Sequence, residues 1–171
     1  MTKSAQTSGT LDILKQAIML ERRGYAFYKK VADEAKDPVV QSFFNDLAKE
    51  EVSHITLLSA QFKAYNNTGS FKIDLFDSKE ESQVSDAVLN KEMQKKISAA
   101  GFEASAISAA IAMEQRAVDL YSKQAGVATD PEEKKVYAWL AAFEREHLNS
   151  LMAIDRALLD DVWEDNHFWP F

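Results

Sequence analysis

Glu51 and His54 stand three residues apart in Lys49-Glu50-Glu51-Val52-Ser53-His54, inside an apolar register of Phe44, Leu47 and Leu58. On a helix this spacing aims both side chains at one face, so a carboxylate and an imidazole share the side that the apolar residues bury. An unpaired carboxylate is costly to bury unless it is protonated, paired or bound to a metal. A single Glu-x-x-His is usually a solvated helix face, because glutamate is rarely buried. Here the pattern recurs. Glu144 and His147 lie 93 residues beyond Glu51 and His54, and the same offset carries Glu21 onto Glu114, Tyr28 onto Tyr121 and Asp37-Pro38 onto Asp130-Pro131. Without a gap, residues 11–60 and 104–153 share about 16 identities in 50 positions, an internal repeat that includes every one of these acids and histidines.

The repeat has to be built from helices. Leu14, Ile18, Glu21, Tyr25, Tyr28 and Ala32 follow the 3,4 spacing of one helix face and predict a first helix over 11–36. Asp37-Pro38 reads as an N-cap followed by proline at the first helical position, which makes the next helix, 38–65, an antiparallel neighbour. That helix ends at Asn66-Asn67-Thr68-Gly69. From the turn at Asp37, Glu21 lies roughly 24 Å back and Glu51 roughly 21 Å forward at about 1.5 Å per residue, so the two acids come level across the hairpin. A third helix from about Gly101 carries Ile107, Ile111, Glu114, Val118, Tyr121 and Ala125 on one stripe. Asp130-Pro131-Glu132-Glu133 opens a fourth, which turns Tyr137, Leu140, Glu144, His147, Leu151, Ile154 and Leu158 inward.

These elements predict an all-α four-helix bundle made of two duplicated helical hairpins joined by a long crossover. The predicted organisation is one domain over 1–171: repeat 1 at about 11–66, a crossover at 67–100, repeat 2 at about 101–159 and an aromatic C-terminal tail at 160–171. In the crossover, Ser70 to Phe76 alternates polar and apolar residues, and Asp86 to Ile97 suits a short surface helix. Phe71, Leu75 and Phe76 are expected to cover the bundle or a neighbouring subunit. His167, in the tail, is read as structural or exposed.

Composition narrows the chemistry. The net charge of −7 and the pI near 5.0 argue against nucleic-acid binding, and Lys95-Lys96 and Lys134-Lys135 read as solvated helix faces. With no cysteine, thiolate zinc sites and iron–sulfur clusters are excluded, so a metal must be held by oxygen and nitrogen. The polar N-terminus has no signal-like apolar stretch and no window reads as a membrane span, so a soluble cytoplasmic protein is the default expectation. Four glutamates and two histidines brought to one level, Glu21, Glu51, His54, Glu114, Glu144 and His147, are a candidate ligand set for two divalent cations. The −4 of the acids would balance the +4 of the ions. Carboxylate with imidazole suits iron or manganese, with zinc as a substitute.

The paired motif resembles the ferritin-like di-iron carboxylate proteins. Glu21-Arg22-Arg23-Gly24-Tyr25-Ala26-Phe27-Tyr28 and Leu47-Ala48-Lys49-Glu50-Glu51-Val52-Ser53-His54 are most similar to rubrerythrin and its relatives, over residues 11–158. The resemblance implies that Glu51 and Glu144 bridge two iron ions, while Glu21 with His54 and Glu114 with His147 complete the coordination. It also implies that Tyr28 and Tyr121 hydrogen-bond ligand carboxylates as part of the catalytic site. By the residues alone, these tyrosines are equally well core aromatics that need a partner for a buried hydroxyl.

Two departures from the family stand out. Without cysteine there is no rubredoxin module, so electrons would come from an unknown external donor. The extra glutamate that rubrerythrins carry one turn from the third-helix ligand is absent, the neighbouring positions being Ile111 and Ala117. The set is thus the symmetric four-Glu, two-His kind, closer to that of bacterioferritin. The implied function is a di-iron oxidoreductase of peroxidase or ferroxidase type, reducing H2O2 or O2 as a dinuclear ferrous centre is oxidised. Iron storage or detoxification without turnover, a dimanganese catalase and a metal-free helical interaction module are the alternatives. A homodimer or small homo-oligomer is expected, with neither nucleic acid nor membrane as partner.

Overall fold

The computed structural model describes residues 3–72, 96–97 and 101–165, with the side chains of 3–8 and 161–165 left aside. Among the described residues four helices make up the bundle: α1 (Lys3–Glu34), α2 (Pro38–Thr68), α3 (Phe102–Val127) and α4 (Pro131–Asp165). Among the described residues there is no strand, and no helix is long and apolar enough to cross a membrane.

The turn chemistry acts where the sequence puts it. Asp37 is the extended N-cap of α2 and its carboxylate accepts the Val39 N–H at 2.8 Å, an interaction worth about 1 kcal/mol. Asp130 does the same for α4, accepting from Glu132 N at 2.8 Å and Glu133 N at 3.4 Å. Gly69 closes α2 with φ 72°, a left-handed conformation that residues with a Cβ rarely adopt, and its N–H reaches Tyr65 O at 2.8 Å.

Two helices run further than their apolar registers. α1 begins at Lys3 rather than near residue 11, and α4 continues to Asp165 rather than stopping at 159. Neither extension contains a proline, and Gly9 inside α1 costs only about 1 kcal/mol relative to alanine, so nothing there stops a helix already nucleated.

The core divides into two apolar clusters with a polar layer between them. One contains Tyr28 and Val31 of α1, Phe43 and Leu47 of α2, Ile107 of α3 and Leu151 and Ile154 of α4. The other contains Leu14 of α1, Leu58 of α2, Tyr121 of α3 and Tyr137 and Leu140 of α4. On every helix the candidate acids and histidines fall between the residues of the first cluster and those of the second. That arrangement sets them at one depth.

The ends of the connection between α2 and α3 lie at opposite ends of the bundle. Phe71 is buried against Tyr65 and Tyr137, with ring centroids 5.5 and 5.9 Å away, where α2 stops and α4 starts. The Gln61 side chain pins this exit by donating to Lys72 O at 2.7 Å and accepting Lys72 N–H at 3.0 Å. Ile97 is buried in the first cluster, and Lys96, which is not merely solvated, pairs with Asp37 at 3.2 Å beside the α1–α2 turn. These two anchors agree with the expected crossover, whose residues 73–95 lie outside the described residues. Leu75, Phe76, the rest of the 86–97 segment and His167 lie outside the described residues.

Candidate metal centre

Glu21, Glu51, His54, Glu114, Glu144 and His147 are all buried, none more than 3% exposed. Each helix contributes at the level of the polar layer: Glu21 from α1, Glu51 and His54 from α2, Glu114 from α3, Glu144 and His147 from α4. The structure brings all six sequence-predicted side chains together in two overlapping groups. Glu51, Glu114, Glu144 and His147 offer ligand atoms within 4.8 Å of one another, as do Glu21, His54 and Glu144. Glu144 belongs to both.

Both histidines turn Nδ1 toward the acids. His54 Nδ1 lies 2.8 Å from Glu144 Oε1 and 3.1 Å from Glu21 Oε2. His147 Nδ1 lies 3.3 Å from Glu144 Oε2 and 3.8 Å from Glu114 Oε1. The contacts of Glu144 are close enough for charge pairing but are not aligned as hydrogen bonds, so both Glu144 oxygens and His147 Nδ1 remain buried without a hydrogen-bond partner. Buried polar atoms are rarely left so, and lone pairs converging on a shared space fit a cation. Hard carboxylates with borderline imidazoles and no sulfur make a donor set that iron or manganese satisfies.

The tyrosines act across the hairpins. Tyr28 of α1 donates its hydroxyl hydrogen bond to Glu114 of α3, and Tyr121 of α3 donates to Glu21 of α1. Each is fully buried and ring-stacked on its own hairpin partner, Tyr28 on Phe44 at 6.2 Å and Tyr121 on Tyr137 at 6.1 Å. The sequence places each tyrosine seven residues after a glutamate, but that glutamate is not the one it bonds.

Burial and crowding distribute the protons unevenly. Burial works against the charged form of His54, yet Glu144 and Glu21 overcome it and push its pKa up to about 10. His147 is likewise raised by Glu114, Glu144 and Glu50 against the cost of burial. Burial alone would raise Glu144, but the two imidazoles hold it below the usual carboxylate range. Glu51 is pushed well up by burial and by the charges of Glu21, Glu144 and Glu114. Burial and Glu144 push Glu114 up to about 7, with His147 opposing. Tyr28 and Tyr121 are raised by burial and by the acids they face, so both stay protonated donors.

Residues beyond the six shape the site. Gly24 lies against Glu51: a Cβ there would meet Glu51 Cδ at 2.9 Å and both carboxylate oxygens at 3.0 Å. This explains why Tyr25, read as inward from its spacing, is 39% exposed, since the helix presents Gly24 to the acids instead. Ile18, Ile111 and Ala125 are only half-buried at the edge of the same faces. A cavity of about 10 Å³ sits beside Glu21, Glu51, Glu114 and Glu144, walled by Leu20, Gly24, Met113 and Ala117. That is the space one water-sized molecule needs.

Sequence reasoning missed Gly24 and also Glu50, which accepts a hydrogen bond from His147 Nε2 at 2.5 Å. A glycine inside a strong helix register was the available signal for the first. The signal for the second was the change from Glu50 to Phe143 across the 93-residue repeat.

A family model described as Rubrerythrin matches residues 12–155 of the chain. No curated protein and no solved structure matches it.

Proposed function

Because the chain belongs to the rubrerythrin family, we propose that it is a di-iron oxidoreductase that reduces hydrogen peroxide or O2 at the Glu21, Glu51, His54, Glu114, Glu144 and His147 cluster. The observation that carries this reading is the pair of overlapping acid–imidazole groups sharing Glu144 beside a cavity with room for one water-sized molecule. So small a cavity favours a small inorganic oxidant over an organic substrate.

In this reading, Glu21 with His54 would hold one ion, Glu114 with His147 the other, and Glu51 and Glu144 would span the two. Bound as a ferrous pair, the metal supplies two electrons, which with two protons convert one H2O2 to two waters; an external one-electron donor restores them. The protein's own residues do the rest. Tyr28 and Tyr121 fix the Glu114 and Glu21 carboxylates through hydroxyl hydrogen bonds that tie one hairpin to the other. Glu51, whose carboxyl is raised by burial and by its acidic neighbours, favours its protonated form, and a bound cation would reverse that preference. Leu20 and Met113 wall the cavity with apolar surface and limit the water that reaches it.

The test is anaerobic loading with two ferrous ions per chain followed by rapid mixing with peroxide. Diferric absorption should develop within seconds, ahead of free ferrous iron under the same conditions. Oxidation no faster than that of free iron would refute the proposal.

A further inference from the structure

The duplication gives the two hairpins matching acids and imidazoles, so inequality between the ion positions comes from neighbours that differ between the copies, and one such difference stands behind the histidines. Each histidine aims Nδ1 at the acids, leaving Nε2 to face outward from the cluster. His147 Nε2–H donates to Glu50 Oε2 at 2.5 Å, and Glu50 is 12% exposed. His54 Nε2 is buried with no hydrogen-bond partner. Its ring instead meets Phe143 and Trp139 edge-on, with centroids 4.8 and 5.7 Å away and interplanar angles of 88° and 84°.

The 93-residue offset makes this contrast specific. Glu50 is the repeat equivalent of Phe143, and Asp46 the equivalent of Trp139. Each of the first pair also reaches over to the other hairpin's histidine: Glu50 of α2 touches His147 of α4, and Phe143 of α4 touches His54 of α2. The Phe143 ring meets both imidazoles edge-on, His147 with centroids 5.4 Å apart, so this one substitution leaves a carboxylate behind His147 and none behind His54.

A carboxylate accepting from the outer nitrogen of a histidine fixes its tautomer, holds its ring in place and strengthens the inner nitrogen as a ligand. We infer that Glu50 is a positioning residue for His147 and makes the two ion positions unequal, the Glu114–His147 position binding first and tightly and the Glu21–His54 position binding second and weakly. This rests on the reading of the cluster as a dinuclear site. The inequality is a matter of affinity and does not depend on which oxidant the site uses.

Cobalt(II) is the probe, being divalent, stable in air at these ligands and visible in the d–d region. The metal-stripped full chain is titrated with it by calorimetry, with absorption recorded in parallel. The wild type should bind two ions in two steps whose dissociation constants differ by roughly tenfold or more. In E50Q the tighter step should weaken by roughly tenfold toward the weaker, with the weaker unchanged. In F143E, which gives His54 a carboxylate of its own, the weaker step should tighten instead. A thermal melt of each metal-free variant identifies any that fail to fold, and the wild-type and E50Q titrations decide the question if F143E does so. Two ions bound in one step of equal affinity by the wild type, or two steps left unmoved by E50Q, would overturn the inference while leaving the dinuclear reading intact. A wild type that binds no cobalt would overturn both.

Discussion

Glu51 and Glu144 occupy the same place in the two hairpins, yet they live in opposite surroundings. Glu144 lies between both imidazoles, 2.8 Å from His54 and 3.3 Å from His147. Glu51 forms no ion pair with either; it is packed against Gly24 and surrounded by the charges of Glu21, Glu144 and Glu114. The first is therefore held ionised and the second is pushed toward its neutral form. The same contrast appears behind the histidines, where Glu50 and Phe143 stand at matched positions, and on the first and third helices, where Gly24 matches Ala117. Duplication supplies the shared set of acids and imidazoles, and the neighbours that differ between the copies assign each a distinct protonation.

The sharpest way to break this comparison is to neutralise each acid in turn. E144Q leaves two buried imidazolium ions short of a counter-charge and should lower the stability of the metal-free protein by about 3–5 kcal/mol. E51Q replaces an acid pushed toward its neutral form with a neutral isostere and should stay within about 1 kcal/mol of the wild type. Urea unfolding at pH 7 measures both, and equal losses would mean that the two acids are alike after all.

Next in size is the effect of pH on metal affinity. With His54 raised to about 10 and Glu114 to about 7, His54 is protonated at neutral pH and Glu114 about half so, and a cation has to displace these protons. Deprotonation as pH rises favours the metal-bound form, so affinity should climb between pH 6 and 8, by roughly tenfold per pH unit for each proton displaced. Calorimetry in buffers of different ionisation enthalpy counts those protons. Affinity that falls or stays flat over this range contradicts the assignment.

A smaller effect separates the first and third helices. G24A introduces a Cβ 2.9 Å from Glu51 Cδ, and the movable carboxylate must give way. Metal affinity should fall by roughly tenfold, while the metal-free protein keeps or gains stability because alanine favours helix by about 1 kcal/mol over glycine. The mirror change, A117G, should cost helix stability without weakening metal binding. Thermal melts and metal titrations of both variants separate these outcomes.

The smallest effects test where the two halves remain alike. Y28F and Y121F each remove one cross-hairpin hydroxyl from a buried carboxylate, in matched ring stacks. Each should cost about 1–2 kcal/mol in unfolding free energy, and by similar amounts. A large difference between them would extend the asymmetry to the tyrosines.

Much of this was legible in the sequence because it is periodic. Glu21, Glu51, His54, Leu58 and their copies at 114, 144, 147 and 151 lie in a helical register that burial enforces, and the 93-residue repeat sets all four helices to one depth. Asp37-Pro38 and Asp130-Pro131 fix the two tight turns through local hydrogen bonds, which depend on few residues. What escaped was lateral or unpunctuated. Tyr25 looks inward from its spacing, but the acid cluster needs the bare backbone of Gly24 on that side. Glu50 lies beside Glu51 in the chain, and only packing of the second hairpin against the first gives it His147 as a partner. The ends of α1 and α4 extend past their apolar stripes because no proline or glycine cap stops them there.

The account turns on whether these six side chains hold two ions together, and an anaerobic titration of the metal-stripped chain with ferrous iron tests that most directly. Two ions should bind per wild-type chain, and E144Q, which alters the one acid common to both groups, should lose high-affinity binding at both positions. A wild type that takes up one ion or none, or an E144Q variant that binds two ions as tightly as the wild type, would contradict it.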